Sequence, residues 1–326
     1  MLFIVNQICV AHITLFFKIN NMDNILITGG AGFIGSKLAE KLIEMNYQVY
    51  IIDDLSKGKE FNIPKEAIFI KGKCEKENTY ISILENDFKC IYHLAGQSSG
   101  EKSFSNPLND LNANAASTLT ILKFARSISC SKVIFASTMS VYGDNTTPFN
   151  EAMTPNPLSF YGVGKLASEH YLRLYSKFGI DTTSVRLFNV YGPGQDLEDF
   201  KQGMVSIFLG QALKGENITV KGSANRFRDF IYIDDVVNNF IQIGLIIKKT
   251  PSIINFCSGR KTSIDKLLKL IANYWPSNLN ILFSEGTPGD QFGSLGCSEK
   301  MNNYNISFNT KIDTGIKKTI KYILNE

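Results

Sequence analysis

At 326 residues, with 44% hydrophobic and 20% charged residues, 25 Gly and only 9 Pro, the chain is long enough for two domains and a sizeable core. That composition excludes collagen-like, disordered and disulfide-framework classes. The net charge of +4, from 34 basic and 30 acidic residues, is spread without any block of about five or six like charges, so nucleic acid is not an expected partner.

Residues 1–22 form an extension unlike the rest: 13 of the first 17 are apolar, interrupted by Asn6, Gln7, His12 and Thr14. As a helix this run would reach about 25 Å, short of a bilayer core of about 30 Å. No basic residue precedes it, the first being Lys18, and a small-residue cleavage site is missing. No stable membrane insertion is expected. Met22 opens MDNILITGG, where a nucleotide-binding domain would begin. The expectation is an upstream start artefact with Met22 as the working start, ahead of a packing or membrane-associated tail.

From residue 24 to 189, short β-branched runs alternate with longer amphipathic ones. The pattern predicts strands at 24–28, 48–53, 67–70, 90–95, 132–137 and 182–188, and helices near 33–45, 79–85, 111–127 and 158–178. In the helix at 111–127, Leu111, Ala115, Leu119, Leu122 and Ala125 fall on one face. Such alternation implies parallel strands with right-handed crossovers, a doubly wound α/β sheet. Beyond residue 189 the regularity weakens: a Gly/Pro/acidic loop at 191–200, helix at 203–214, loop and short strand at 215–230, helix at 234–247, strand at 252–256 and helix at 264–274. The expected organisation is a nucleotide-binding domain over 23–190 and a smaller α/β substrate-binding domain over 191–326, with 229–258 returning to the first domain.

The first predicted strand runs into Thr28-Gly29-Gly30-Ala31-Gly32-Phe33-Ile34-Gly35. Gly30, Gly32 and Gly35 make GxGxxG, and Gly29, Gly32 and Gly35 make GxxGxxG. Glycine here permits a tight turn, close approach of backbone to a pyrophosphate and tight helix–strand packing, while the helix N-terminus offers N–H donors. Asp53 follows Gly30 by 23 residues, at the end of the second strand. A carboxylate there accepts from ribose hydroxyls and repels a 2′-phosphate, so NAD is expected over NADP in a Rossmann-type sheet, with Asp54 able to share the role.

Tyr161 and Lys165, at i and i+4, share a face of the next helix. For the phenol to serve as a base near neutrality it needs roughly 3 pKa units of help, about 4 kcal/mol, which an ammonium and an oxidised nicotinamide can supply. Ser137 or Thr138, at the C-terminal end of the fifth strand where ligands bind in such sheets, could offer a hydroxyl to the same point. The six cysteines lack CxxC spacing and the three histidines lie far apart, so no metal is expected; scattered thiols in apolar runs read as free cysteines of a reducing, cytoplasmic compartment. Only six residues are Arg, each a candidate for gripping a planar anion.

Taken in order, GGAGFIG, IIDDLSKG, HLAG, STMSVYG, YGVGK, RLFNVYGPGQ and RFRDFIYIDDV resemble the extended short-chain dehydrogenase/reductase family. Over residues 24–326 the chain is most similar to its NAD-dependent sugar-nucleotide epimerases and dehydratases, typified by UDP-glucose 4-epimerase. The resemblance implies Tyr161 as catalytic base, Lys165 as its partner and ribose ligand, and Thr138 as the family hydroxyl. It implies cofactor contacts from Gly29, Gly32, Phe33, Ile34, Gly35, Asp53, Leu94, Ala95, Gly96 and Asn114, with His93 a packing residue. Thr138, Asn189 and Arg228 would meet the nucleotide sugar, Arg228 ahead of Arg226. Three departures stand out: Lys73 where the family has an Asp near adenine, Thr287 in place of a second diphosphate-binding Arg, and small Ser294 near the position that gates N-acetyl groups. Dehydratases place Asp-Glu directly after the Thr; here Met139-Ser140 stands there, and the decarboxylases' Glu is also missing. An NAD-dependent epimerase, most simply at C4 of a UDP-hexose or UDP-N-acetylhexosamine, is therefore expected. A ketoreductase is the alternative, a 4,6-dehydratase less favoured, and a non-catalytic dinucleotide sensor the reading from a different class. The family's four-helix contact implies a homodimer through the helices at 111–127 and 158–178.

Overall fold

A computed structural model of the protein describes residues 22–286 and 292–325. Seven parallel strands make the central sheet: β1 (Asn24–Thr28), β2 (Gln48–Asp53), β3 (Ile68–Lys71), β4 (Cys90–His93), β5 (Lys132–Thr138), β6 (Asp181–Leu187) and a late strand, Ile253–Phe256, beside β6. Their order across the sheet is β3-β2-β1-β4-β5-β6 and then the late strand. The chain winds outward from β1 to β3, then restarts at β4 on the other side of β1. That reversal opens a crevice above the C-terminal ends of β1 and β4, the usual ligand position in such sheets.

Strand residues alternate between two cores. Ile25, Ile27, Val49 and Ile51 pack on one side with Leu38 and Leu42 of helix α1 (Phe33–Glu44). Leu26, Ile52, Ile91, Val133 and Phe135 pack on the other with helix α2 (Ser117–Ser127). Both faces being covered explains why these strands read as near-continuous apolar runs.

Several expected elements differ in detail. The helix expected at 79–85 is a 3-10 helix, Glu77–Ile83. The one at 111–127 is split: a short helix Pro107–Leu111, a π turn Asn112–Ala116, then α2. The wide turn rotates the apolar stripe, so Leu111 and Leu119 are 51% and 39% exposed while Ile121 and Phe124 go inward beside Leu122 and Ala125. The helix at 158–178 is α3 (Phe160–Tyr175), capped by the Ser159 hydroxyl and followed by a 3-10 turn.

Beyond β6 come β7 (Asn189–Tyr191), α4 (Met204–Leu213), β8 (Ile218–Lys221), β9 (Phe227–Arg228), β10 (Phe230–Tyr232), α5 (Ile233–Ile241), the late strand β11 (Ile253–Phe256), β12 (Thr262–Ser263), α6 (Ile264–Tyr274), β13 (Ile281–Ser284) and α7 (Ile312–Ile323). The helix expected at 234–247 ends at Ile241 and continues as a second π turn, Gln242–Ile246. Small pairs, β7 with β10, β9 with β12 and β8 with β13, set this region against the strand ends. Among the described residues no helix is long and apolar enough to cross a membrane, and no cluster of three metal-ligating side chains occurs.

Candidate active site

The glycine turn closes on itself and on the neighbouring strand exit. Gly29 has φ +74°, and a Cβ there would stand 2.7 Å from the Ala95 nitrogen; one on Gly35 would stand 2.2 Å from the Gly29 carbonyl oxygen. Only glycine fits either place. Gly32 precedes α1, where no described side chain caps the first-turn N–H groups, and Phe33 and Ile34 open the helix half-buried. Leu94 donates its N–H to the Thr28 carbonyl at 3.1 Å and Ala95 to the Thr28 hydroxyl at 3.3 Å.

Asp53 is buried and braces the turn: Oδ2 accepts from Ala31 N–H at 3.0 Å and Oδ1 from Leu55 N–H at 2.8 Å. Burial raises its pKa, against the pull of those two donors. Asp54 instead accepts from Ser56 N–H in its own turn, so of the two it is Asp53 that faces the glycine loop. His93 is fully buried between the Thr28 and Thr118 hydroxyls, at 2.7 and 3.1 Å, and stacks on Phe135. Burial, with the Lys165 charge, pushes it down to about 3, a neutral packing imidazole.

Two side chains converge beside Gly96. A Cβ on Gly96 would lie 2.4 Å from Asn114 Oδ1 and 3.1 Å from Lys165 Nζ. Asn114 Oδ1 is buried without a hydrogen-bond partner among the described residues. Lys165 Nζ donates to the Ala136 carbonyl at 2.9 Å and sits 4.7 Å from the Phe135 ring. Its pKa is brought down to about 8 by burial, with the Asp110 carboxylate working the other way. Burial pushes the Tyr161 phenol up to about 12, Thr138 lowering it and the Asp110 charge raising it further. The expected lowering by the Lys165 ammonium is not found here, where burial dominates.

Adjacent strand residues point to opposite sides, which separates Ser137 from Thr138. Ser137 donates to Glu169 Oε1, which Arg186 grips through Nε at 2.9 Å while its Nη2 holds Oε2 at 2.7 Å. Thr138 acts on the Tyr161 phenol, and its Oγ1 accepts from Ser140 N–H at 3.1 Å. Arg186 does grip a planar anion, but one supplied by the protein itself.

The second set lies across the crevice. Asn189 Nδ2 donates to the Asp229 carbonyl at 2.8 Å and the Ser294 hydroxyl at 3.3 Å. Arg228 Nη1 donates to the Phe227 and Phe292 carbonyls at 2.9 and 3.3 Å, and burial with Arg226 nearby brings it down to about 10. Ser294 is buried and donates its N–H to the Phe227 carbonyl at 3.1 Å. Lys73 is exposed after β3, its carbonyl taken by the Thr79 hydroxyl. Thr287 lies outside the described residues.

Two residues that sequence reading passed over hold these sets in place. Asp229 accepts from the Ser258 N–H and hydroxyl and from the N–H groups of Gly259 and Gly296, at 2.6 to 3.2 Å. Its signal was a lone acid inside the apolar run FRDF. Asp110 accepts from Gln97 and Asn114. Its spacing of four from Asn114 was a visible sign.

A segment then crosses the crevice. Asp199 Oδ2 pairs with Lys57 after β2, at 2.7 Å, and with Lys102 after β4, at 2.6 Å. β2 and β4 flank β1, so Asp199 bridges the loops that follow the strands on either side of it.

A doubly wound sheet with a glycine cradle, an uncapped helix start, a braced acid at the end of β2 and an unpartnered buried amide oxygen fits a dinucleotide and defines the class. The chain belongs to the NAD dependent epimerase/dehydratase family, whose profile matches residues 25–255. A putative UDP-glucose 4-epimerase of Methanocaldococcus jannaschii is 32% identical over 304 residues, 92% of this chain and 98% of that one. A dTDP-4-dehydro-6-deoxyglucose reductase of Escherichia coli is 33% identical over 258 residues, 76% of this chain and 81% of that one. The crystal structure of the UDP-glucose 4-epimerase of Thermotoga maritima with UDP-glucose superposes with a TM-score of 0.87 at 32% identity, covering 93% of this chain and 99% of that one.

Proposed function

We propose that the protein is an NAD-dependent epimerase of a nucleotide-activated sugar, acting at C4 of a UDP-hexose or UDP-N-acetylhexosamine. The observation that carries this is Tyr161 and Lys165 one turn apart on α3, with Thr138 at the end of β5 followed by Met139-Ser140 rather than by carboxylates.

Gly29, Gly32 and Gly35 with the start of α1 would hold the pyrophosphate of NAD, Asp53 its ribose hydroxyls, and Asn114, Lys165 and the 94–96 turn its nicotinamide end. Bound there, NAD supplies reversible oxidation at one sugar carbon. Thr138 orients the reacting hydroxyl, and Tyr161 takes its proton and later returns it. A phenol pushed up to about 12 is protonated at neutrality, so its work as base depends on positive charge brought to the site. Asn189 and Arg228 would hold the diphosphate, leaving the sugar free to turn between the two proton transfers. Epimerisation needs no further acid or base, whereas elimination of water does, and Ser140 only exchanges hydrogen bonds with Thr138. Small, buried Ser294 leaves room for an N-acetyl group. The similarity to a reductase favours keto-sugar reduction as the second reading, which Asp53 disfavours for an NADPH-consuming enzyme.

The domain division stated from the sequence is proposed on the same grounds, β11 having joined the sheet beside β6. Exposed Leu111 and Leu119 on the 111–127 stretch, with Phe160 and Val163 on α3, support a homodimer through those helices, which a monomeric mass by light scattering would contradict. Four buried free thiols support a cytoplasmic location.

The test is product analysis with UDP-glucose, UDP-N-acetylglucosamine and their uronic acids, without added NAD(P)H. An epimer with no net cofactor turnover, lost by about 100- to 10,000-fold on Tyr161→Phe, is expected. Reaction only when NADH or NADPH and a keto sugar are supplied replaces this reading with the reductase.

A further inference from the structure

Asp110 has no part in the chemistry above, yet it is 1% exposed and lies against the helix that carries Tyr161 and Lys165. It sits in the short helix Pro107–Leu111, one turn before Asn114 and next to the π turn. Its Oδ1 accepts from Gln97 Nε2 at 2.7 Å and from Asn114 Nδ2 at 3.2 Å. Asn114 Nδ2 also donates to the Gln97 carbonyl, at 3.1 Å. With its amide hydrogens given to Asp110 and Gln97, Asn114 can present only its Oδ1 toward Gly96 and Lys165, where that oxygen is the unpartnered one. Asp110 Oδ2 comes within 3.2 Å of where a Cβ on Gly164 would stand, so a glycine just before Lys165 admits the carboxylate.

A carboxylate this buried needs donors and a counter-charge. Gln97 and Asn114 are the donors. The charged and titratable groups acting with it are Lys165 and Tyr161 from α3. On the neighbouring helix Gly100–Ser105, Lys102 is paired with Asp199, and Glu101 faces Lys201 and Lys221 at 4.0 Å.

We infer that Asp110 is a positioning residue of the active site: it fixes the orientation of the Asn114 amide and supplies the negative charge that balances the Lys165 ammonium beside Tyr161. The inference rests on the roles proposed above for Tyr161 and Lys165, and its test does not need turnover. Removing the charge takes away a force that raises both the phenol and the ammonium, so both should titrate at lower pH.

The experiment is a spectrophotometric titration of the NAD-bound full-length protein, the Tyr161 phenol being assigned by difference against Tyr161→Phe. In Asp110→Asn its midpoint is expected to fall by about one pH unit, and Asp110→Glu to return it toward wild type. If the epimerase reading holds, both limbs of the kcat profile move the same way; if it fails, the phenol titration still decides. A midpoint unchanged in a folded Asp110→Asn protein overturns the inference. Asp110→Ser carries the same test should the Asn variant not fold. If neither neutral variant folds while Asp110→Glu does, the residue is structural and the inference is overturned as well.

Discussion

The two sides of the crevice are built by different means. The side next to the glycine turn rests on regular elements, strand ends and helix starts whose side chains meet one another: His93 with Thr28 and Thr118, Ser137 with Glu169, and Glu169 with Arg186. The opposite side rests on short strands and loops whose side chains hold backbone carbonyls: Asn189 on Asp229, Arg228 on Phe227 and Phe292. A side chain gripping another side chain in a packed interior is tied to the stability of the whole sheet. One gripping a nearby carbonyl is tied mainly to local loop shape, and a bound anion can compete for it.

Glu169→Gln should give the largest effect on the first side. It leaves the Arg186 guanidinium, 1% exposed, without its carboxylate, and breaking such a pair by removing one partner costs about 3–5 kcal/mol. Urea unfolding should show that loss as a lower midpoint. A midpoint within error of wild type would show that the pair is not what joins α3 to β5 and β6. On the second side, Asn189→Ala removes a hydrogen bond worth about 1 kcal/mol to the fold. It is expected to raise KM for the nucleotide sugar roughly tenfold while NAD affinity and unfolding stay near wild type. A large fall in stability with unchanged KM would reverse the comparison.

This contrast also explains what was legible in the amino-acid sequence. Asn24–Thr28 and Gln48–Asp53 end where periodicity and the glycine turn say they should, because local geometry alone fixes them. The residues by themselves left Ser137 and Thr138 open, and only the resemblance chose Thr138; the tie of Ser137 to Glu169, 32 residues away, could not be read from the sequence. Asp53 was legible from its spacing, with Asp54 able to share its role, and it is the turn that draws Asp54 away to Ser56. The π turn at Asn112–Ala116 left no mark in an Ala- and Asn-rich stretch, so the apolar stripe through Leu111 and Leu119 was drawn straight across it. The second side was legible only through family resemblance. Asp229 works by collecting N–H groups from Ser258, Gly259 and Gly296, and backbone donors carry no sequence signature.

The smallest expected effect lies where the segment around Asp199 bridges the exits of β2 and β4. Its carboxylate is held down to about 2, below the usual range: burial opposes this, but the hydrogen bonds from Lys102 and Lys57 outweigh it. The lysine partners are 25% and 61% exposed, so each pair is largely screened by solvent and worth no more than about 1 kcal/mol. Asp199→Asn should accordingly leave the melting temperature within a few degrees of wild type. Because the segment bridges the loops on either side of β1, the same loss should appear as NAD release about two- to fivefold faster at low salt. Raising the salt to about 1 M, where screening reaches about 3 Å, should bring wild type and variant together. The sign follows from charge: salt weakens the wild-type bridge and has nothing comparable to weaken in the variant. If release is unchanged at low salt, the bridge ties loops together without restraining what lies beneath them, and the restraint there falls to the bonds of Ser99 to the Lys201 carbonyl and of Gln202 to Ser98.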